Sequence, residues 1–308
     1  MMTVITDVYP SRVGREAAIL MRQDPVVWPG KKPASALSRE QLKAYTDDGA
    51  ILLESVFSDK EVAALRKAID DMTEDPEIRK RDETVIEPGS GTVRSVFLVH
   101  RLNDVMRRLA ADRRIADVAR QILGSDVYVH QSRANLKRGF EGQEFYWHSD
   151  FETWHIEDGM PRMRALSCSI LLDDNNAFNG PLMVVPGSHL NYVSCVGETP
   201  RDNYKESLKK QVYGTPDHDS LRFLVERGGI RSMTGPAGSV VFFDCNTMHG
   251  SNRNLSPYPR SNVFFVYNSV ENRLDPPHHG LDPRPEYIAA RDDCEALGSV
   301  GSNRLKLV

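Results

Sequence analysis

The feature that most restricts the fold is a change of pattern near Val127, where helical periodicity gives way to short strands. Six segments rich in β-branched and aromatic residues follow over about 140 residues. They are Val127 to Lys137, Phe145 to Asp150, Ala165 to Leu172, Leu182 to Val185, Ser239 to Phe243 and Asn262 to Val270. Turn-forming residues separate them, as at Pro186-Gly187 and Pro236-Ala237-Gly238. Many short strands of this kind predict a sandwich or a double-sheet jelly roll.

Before this change the chain has the pattern of amphipathic helices. Ser38 and Ser58 each begin a capping box, a serine followed three residues later by Gln or Glu. A third apolar helical pattern extends from Asp104 to Leu123, and Gly124 is a typical residue after a helix end. We therefore predict a mainly β fold with helices packed outside the sheets.

The order of these patterns predicts a single domain over residues 1–308. We expect a mainly helical part at 1–126 and a jelly-roll core at 127–272. The polar stretch at about 194–230 is predicted to be an insertion with some helix. Residues 273–308 are rich in Pro, Asp and Gly, so we expect an irregular tail.

Composition limits the classes of partner. The formal net charge is −4, which gives no overall attraction to nucleic acid or to anionic lipid. The four cysteines are widely spaced, without a Cys-x-x-Cys pair, and are predicted to be reduced thiols. No apolar run is long enough to cross a membrane, and Met1 to Gly30 lacks the apolar core of a secretory signal. We therefore predict a cytoplasmic location, with no membrane or nucleic-acid partner.

The segment Phe145-Tyr-Trp-His-Ser-Asp150 contains a candidate metal-binding pair. In an extended strand His148 and Asp150 lie on the same face, because side chains two apart point the same way. A histidine and a carboxylate form two ligands of the facial triad that suits iron(II) oxygenases. His155 and Glu157 repeat the spacing, but the following Asp158-Gly159-Met160-Pro161 predicts a loop. Loops hold ligands less firmly, so the first pair is favoured.

His249 is the best candidate for a third metal ligand. It follows an apolar strand that begins after Pro236-Ala237-Gly238. His278 and His279 lie in the tail, His218 lies in the polar insertion, and His189 lies in a loop. A hydrogen-bonded core histidine is the alternative interpretation of His249.

Two candidate strands carry cations that could bind an anion. Arg260 shares its strand face with Asn262 and Phe264, so a buried Phe264 would bring a guanidinium into the core. A buried arginine needs an anion, and a dicarboxylate would supply it. Lys137 ends a face shared with Gln131, Arg133 and Asn135, which could equally be the solvated side of a sheet.

These residues resemble a known group of enzymes. His148-x-Asp150, His249 and Arg260 resemble the iron(II)- and 2-oxoglutarate-dependent dioxygenases of the phytanoyl-CoA hydroxylase superfamily, as does the segment from Gly180 to His189. The 17-residue run from Phe145 to Pro161 is similar to the signature of the ectoine hydroxylase family.

The resemblance implies a double-stranded β-helix, or jelly-roll, core of the cupin type. It implies that ectoine, 2-oxoglutarate and O₂ are converted into 5-hydroxyectoine, succinate and CO₂. It also implies roles for twelve residues: His148, Asp150 and His249 as catalytic ligands of Fe²⁺; Lys137, Ser251 and Arg260 for 2-oxoglutarate; Gln131, Trp154, Ser167, Phe243, Asn262 and Phe264 for ectoine. A homodimer is a further expectation.

Three other functions remain open at this point. A related dioxygenase could hydroxylate another small amino-acid-like substrate, such as proline. A nucleic-acid demethylase is disfavoured by the charge of −4. A jelly-roll binding protein without activity is disfavoured, because it would not require three intact metal ligands and a cation for the co-substrate.

Overall fold

A computed structural model describes residues 7–30, 35–87, 91–140, 142–207 and 212–298. Residues 299–308 of the predicted tail and 208–211 of the predicted insertion therefore lie outside the described residues, as do residues 1–6. The division into a helical part, a core and a tail stays a prediction.

Six α-helices precede residue 127 in the described part of the chain, and three follow it. The helices are α1 Arg39–Asp48, α2 Asp59–Glu74, α3 Pro76–Arg79, α4 Val99–Leu102, α5 Asp104–Ala110, α6 Arg113–Leu123, α7 Asp150–Asp158, α8 Tyr204–Ser207 and α9 His218–Gly228. Both predicted capping boxes are present, at the starts of α1 and α2. Gly124 ends α6 at φ 61°, a left-handed conformation that glycine adopts without strain.

Thirteen strands form three antiparallel sheets in the described part of the chain. The strands are β1 Ala18–Met21, β2 Ala50–Leu53, β3 Thr84–Ile86, β4 Val93–Phe97, β5 Val127–Lys137, β6 Phe145–His148, β7 Ala165–Leu171, β8 Leu182–Val184, β9 Asn191–Ser194, β10 Arg231–Ser232, β11 Val240–Asp244, β12 His249–Ser251 and β13 Arg260–Ser269. The major sheet has the order β2-β11-β7-β13-β5-β4-β3, the minor sheet β10-β8-β12-β6, and β1 pairs with β9.

The major sheet separates two apolar layers because its side chains alternate between faces. On one face Phe242 and Phe265 pack with α2, α5 and α6 in the largest apolar cluster. On the other face Phe243 and Phe264 pack with Val184 of the minor sheet. Two facing sheets with helices outside one of them confirm the predicted jelly-roll class.

Some predicted boundaries are wrong. The stretch from Asp104 to Leu123 is two helices, because the Asp112 side chain accepts a hydrogen bond from the backbone N–H of Arg114 and starts α6. The strand predicted to reach Asp150 ends at His148, and Asp150 is the first residue of α7. That helix also contains His155 and Glu157, which were predicted next to a loop; Gly159 ends it.

Two further features concern the cysteines and the lengths of the helices. All four cysteines are buried free thiols. Within the described ranges, no helix has the length and apolar character that a membrane crossing requires.

Candidate metal centre and its two cavities

The pairing of two minor-sheet strands brings the two predicted histidine ligands together. β6 and β12 are antiparallel neighbours, and their register places His148 directly opposite His249. The centroids of the two imidazole rings are 4.2 Å apart. Both side chains are buried between the sheets.

The hydrogen bonds of these histidines leave one ring nitrogen of each available. Nδ1 of His148 is 2.7 Å from the carbonyl oxygen of Tyr146, and Nδ1 of His249 is 3.0 Å from that of Thr247. A carbonyl oxygen only accepts, so each Nδ1 carries the proton and donates it. The lone pair of each Nε2 therefore remains free to bind a metal.

Asp150 supplies the carboxylate because α7 begins immediately beyond β6. Its Oδ1 lies 3.6 Å from Nε2 of His148 and 3.9 Å from Nε2 of His249. Its Oδ2 accepts a 3.1 Å hydrogen bond from the Ser167 hydroxyl on β7. One ligand atom from each of the three side chains lies within 4.8 Å of the others.

The protonation states also suit a cation. Burial acts to raise the pKa of Asp150, but interactions with His249 and His148 outweigh it and hold the pKa well below its usual range. Burial, followed by the proximity of His148, lowers the pKa of His249 to about 4. At neutral pH the structure thus offers an ionised carboxylate and a neutral imidazole, the forms that bind metals. Two imidazoles and one carboxylate fit iron(II).

A cavity rich in cations adjoins this cluster. Lys137, His148, His249, Ser251, Arg260 and Phe264 are among its lining residues. Nζ of Lys137 is 3.0 Å from Oγ of Ser251 and 2.6 Å from the carbonyl oxygen of Asn252. Arg260 donates to the carbonyl oxygen of Gly180, and its buried Nε has no hydrogen-bond partner. Within the described residues both cations are bonded only to neutral oxygens.

The electrostatics of this cavity favour an anion. Burial, followed by the positive charge of Arg260, lowers the pKa of Lys137 to about 6. Burial and the nearby Arg133 lower the pKa of Arg260 to about 10. Both shifts reflect the cost of burying a positive charge without a paired carboxylate, and Lys137 is therefore mostly uncharged at neutral pH when no ligand is bound. A dicarboxylate placed here would relieve that cost.

A second cavity opens on the other side of the cluster. Among the residues that line it are Gln131, His148, Asp150, Trp154 and Arg284. Nε2 of Gln131 donates to the carbonyl oxygen of Ile288, so a segment of the predicted tail closes over this cavity. Two of the six predicted ectoine contacts thus share one cavity with the metal cluster.

The other four predicted ectoine contacts lie on the inner face of the major sheet. The Phe243 ring is 4.8 Å from that of His249, and Phe264 lines the cation-rich cavity. Asn262 donates to Oγ of Ser169, while its Oδ1 is buried without a partner. The Ser167 hydroxyl is directed at Asp150. All four are close to the cluster or its cavities, but their contact with substrate stays a prediction.

Arg133 is the main feature of the site that the sequence interpretation did not single out. Its side chain lines both cavities, and its guanidinium lies 5.1 Å from the centroid of the Phe264 ring. The alternation that places Gln131 and Lys137 on one face could have identified it. No comparable signal exists for Arg284, which reaches the second cavity from the tail.

The competing pair His155 and Glu157 does not form a joint ligand set. Glu157 accepts a 2.7 Å hydrogen bond from Nη1 of Arg12. His155 instead has its Nε2 3.0 Å from Oδ1 of Asp7. The preference for His148 and Asp150 is consistent with this geometry.

Comparison with known proteins agrees with the fold and the site. The family model for phytanoyl-CoA dioxygenase (PhyH) matches residues 45–262. An ectoine dioxygenase of Bordetella bronchiseptica is 63% identical over 308 residues, which cover 100% of this chain and 99% of that protein.

Solved structures give the same result. The crystal structure of EctD from S. alaskensis with 2-oxoglutarate and 5-hydroxyectoine superposes with a TM-score of 0.85 at 50% identity, covering 94% of this chain and 97% of that one. The structure of the same protein with bound Fe gives a TM-score of 0.84 at 49% identity, with the same coverage. The chain therefore belongs to the phytanoyl-CoA dioxygenase family and, within it, to the ectoine dioxygenases.

Proposed function

We propose that this protein is an iron(II)- and 2-oxoglutarate-dependent dioxygenase that hydroxylates ectoine. The reaction consumes ectoine, 2-oxoglutarate and O₂ and yields 5-hydroxyectoine, succinate and CO₂. The observation that carries this proposal is the two-histidine, one-carboxylate cluster between a cation-rich cavity and a second cavity containing Trp154. The ectoine dioxygenase relatives support the choice of substrate.

His148, Asp150 and His249 would hold the iron, since their ligand atoms converge, with Asp150 ionised and His249 neutral as a metal needs. Iron(II) held by these three residues would supply the activation of oxygen. Ser167 keeps Asp150 oriented through its hydrogen bond.

Lys137, Ser251 and Arg260 would bind 2-oxoglutarate in the cation-rich cavity. The guanidinium of Arg260 can donate two parallel hydrogen bonds to a carboxylate. A bound carboxylate would favour the protonated form of Lys137, which then adds a second charge. The contact between Lys137 and Ser251 places these two side chains at the same end of the cavity. Binding a dianion would replace a costly group of buried cations with paired charges.

Gln131, Trp154, Ser167, Phe243, Asn262 and Phe264 would form the ectoine site. Ectoine combines a delocalised cationic ring with a carboxylate. Aromatic faces attract such a cation, while Gln131 and Asn262 can form directional hydrogen bonds. Arg133, between the cavities, supplies a positive charge on the same side of the sheet. A homodimer and a cytoplasmic location stay predictions.

The proposal is tested by anaerobic reconstitution with iron(II) and 2-oxoglutarate, followed by addition of O₂ with or without ectoine. We expect succinate and 5-hydroxyectoine to form in a one-to-one ratio when ectoine is present. Proline is the control substrate for a related amino-acid hydroxylase. Succinate without hydroxyectoine, or faster turnover of proline, would reject ectoine as the substrate.

Replacing Trp154 by leucine tests the aromatic wall of the second cavity. A cation–π contact contributes about 0.5–2 kcal/mol, so the KM for ectoine should rise roughly 2- to 30-fold. Iron content and the KM for 2-oxoglutarate should not change. Trp147→Leu is the matched control, because Trp147 packs with Val185 and Val193 in a different cluster. Equal losses of iron and ectoine affinity in Trp154→Leu would assign Trp154 a structural role instead.

A further inference from the structure

We propose that Asp7, His155 and His278 form a second metal site, separate from the iron cluster, that takes a divalent transition-metal ion such as Zn²⁺. These residues come from the start of the described chain, from α7 and from the tail. The inference does not depend on the proposed oxygenase reaction. It concerns the stability and assembly of the fold around α7.

The three side chains already converge. Nε2 of His155 is 3.0 Å from Oδ1 of Asp7, and Nδ1 of His278 is 3.8 Å from Oδ2 of Asp7. One ligand atom from each residue lies within 4.8 Å of the others. A tetrahedral zinc ion with bonds of about 2.0–2.1 Å holds its ligand atoms roughly 3.3 Å apart. Small side-chain rotations would therefore satisfy its geometry.

The orientation of His155 is the one expected of a metal ligand. Its Nδ1 is 2.7 Å from the carbonyl oxygen of Met160, which accepts the proton of that nitrogen. In a neutral ring Nε2 then has a lone pair, which faces the carboxylate of Asp7. Two electron-rich atoms this close require a cation between them, either a proton or a metal ion. A second hydrogen bond from a ligating histidine to a carbonyl is the usual outer-shell arrangement of metal sites.

A backbone hydrogen bond also orients Asp7. The backbone N–H of Tyr9 donates a 2.9 Å hydrogen bond to Oδ1 of Asp7 and fixes its carboxylate.

Three acidic residues of α7 are committed to other partners. Glu152 and Glu157, on the same helix as His155, form buried ion pairs with Arg12. Asp158 forms a two-pronged pair with Arg284. The three converging side chains offer one carboxylate and two imidazoles, a donor set that suits Zn²⁺ better than Ca²⁺ or Mg²⁺. Asp7 and His278 are partly exposed, so an ion can enter from solvent.

A bound ion would join three segments that are distant in sequence. It would connect residues near both ends of the described chain to α7, whose first residue is Asp150. Binding to the folded state alone raises stability with ion concentration. The melting temperature of the protein should therefore increase with Zn²⁺ more than iron-site occupancy alone explains.

Zinc stoichiometry distinguishes the two sites, because Zn²⁺ can also occupy the iron cluster. Equilibrium dialysis should give two zinc ions per wild-type chain. His278→Ala should bind one ion, and so should His249→Ala, which removes a ligand of the other site. His279→Ala is the matched control: this adjacent histidine contacts the backbone oxygen of Ser11 and is not part of the cluster, so it should still bind two ions.

Anomalous diffraction at the zinc edge from wild-type crystals gives a second measurement that does not depend on variant folding. A peak between Asp7, His155 and His278 is expected. One zinc ion per wild-type chain, or no peak at these residues, would overturn the proposal and leave a protonated histidine–aspartate pair. Two zinc ions bound to folded His278→Ala would place the second ion elsewhere and would also overturn it.

Discussion

An Asp150→Ala protein is expected to bind less than one iron per chain and to hydroxylate ectoine at least about a thousandfold more slowly. This factor corresponds to the several kcal/mol by which a catalytic metal stabilises a transition state. The carboxylate is the single anionic group of the cluster, and His249 is a neutral ligand. Iron content by metal analysis and succinate formation are the measurements. An Asp150→Ala protein with wild-type iron and turnover would remove Asp150 from the ligand set.

Ser167→Ala provides a graded comparison. The hydroxyl donates to the Oδ2 atom of Asp150, and loss of such an outer partner typically weakens metal affinity about 10- to 100-fold. We expect iron to bind more weakly but not to be lost. If only the KM for ectoine rises, Ser167 contacts the substrate rather than orienting Asp150. Thermal melting of both variants separates loss of iron from loss of fold.

The second large effect is expected at Arg260. Arg260→Ala should raise the KM for 2-oxoglutarate by roughly thirtyfold or more, since losing one partner of a buried charged pair costs about 2–5 kcal/mol. Arg260→Lys should lie between Ala and the wild type, because lysine keeps the charge but lacks the two-pronged donor geometry. The KM values for 2-oxoglutarate and ectoine should be measured separately.

The control for Arg260 is Arg253→Ala, an exposed arginine after β12. It should leave the KM for 2-oxoglutarate unchanged. Breaking a buried ion pair would strongly destabilise a protein. In the ligand-free protein, Arg260→Ala should not cause a loss of that size, because Arg260 contacts the neutral carbonyl oxygen of Gly180. An unchanged KM, or a large loss of stability in the ligand-free protein, would contradict a role in binding the co-substrate.

Local patterns in the sequence predicted which side chains of this site share a strand face. The two-residue alternation of β13 places Arg260, Asn262 and Phe264 on the inner face of the major sheet. For β6 the predicted alternation was wrong beyond His148, because the strand ends there and Asp150 belongs to α7. The ligand pair converges nonetheless, because the side chain at the first helical position remains beside the end of the strand.

The register irregularity in the pairing of β5 with β13 could not be predicted from the sequence. The pairing with β13 changes register between Val266 and Tyr267, so that Gln131 and Val129 face neighbouring residues of the partner strand. An irregularity of this type redirects side chains locally. It leaves Gln131 at the second cavity while Val129 packs with the helices on the other face. Strand alternation alone would place both residues on one face.

The sequence by itself determined the residue chemistry, the strand alternation and the family, because these depend on side-chain type and short-range spacing. Only the tertiary structure decided which distant residues meet. Hydrogen bonding between β6 and β12 places His249 opposite His148, and the packing of the tail brings Arg284 to the second cavity and His278 to His155. Such contacts depend on the pairing of whole strands and segments, and no local pattern encodes that pairing.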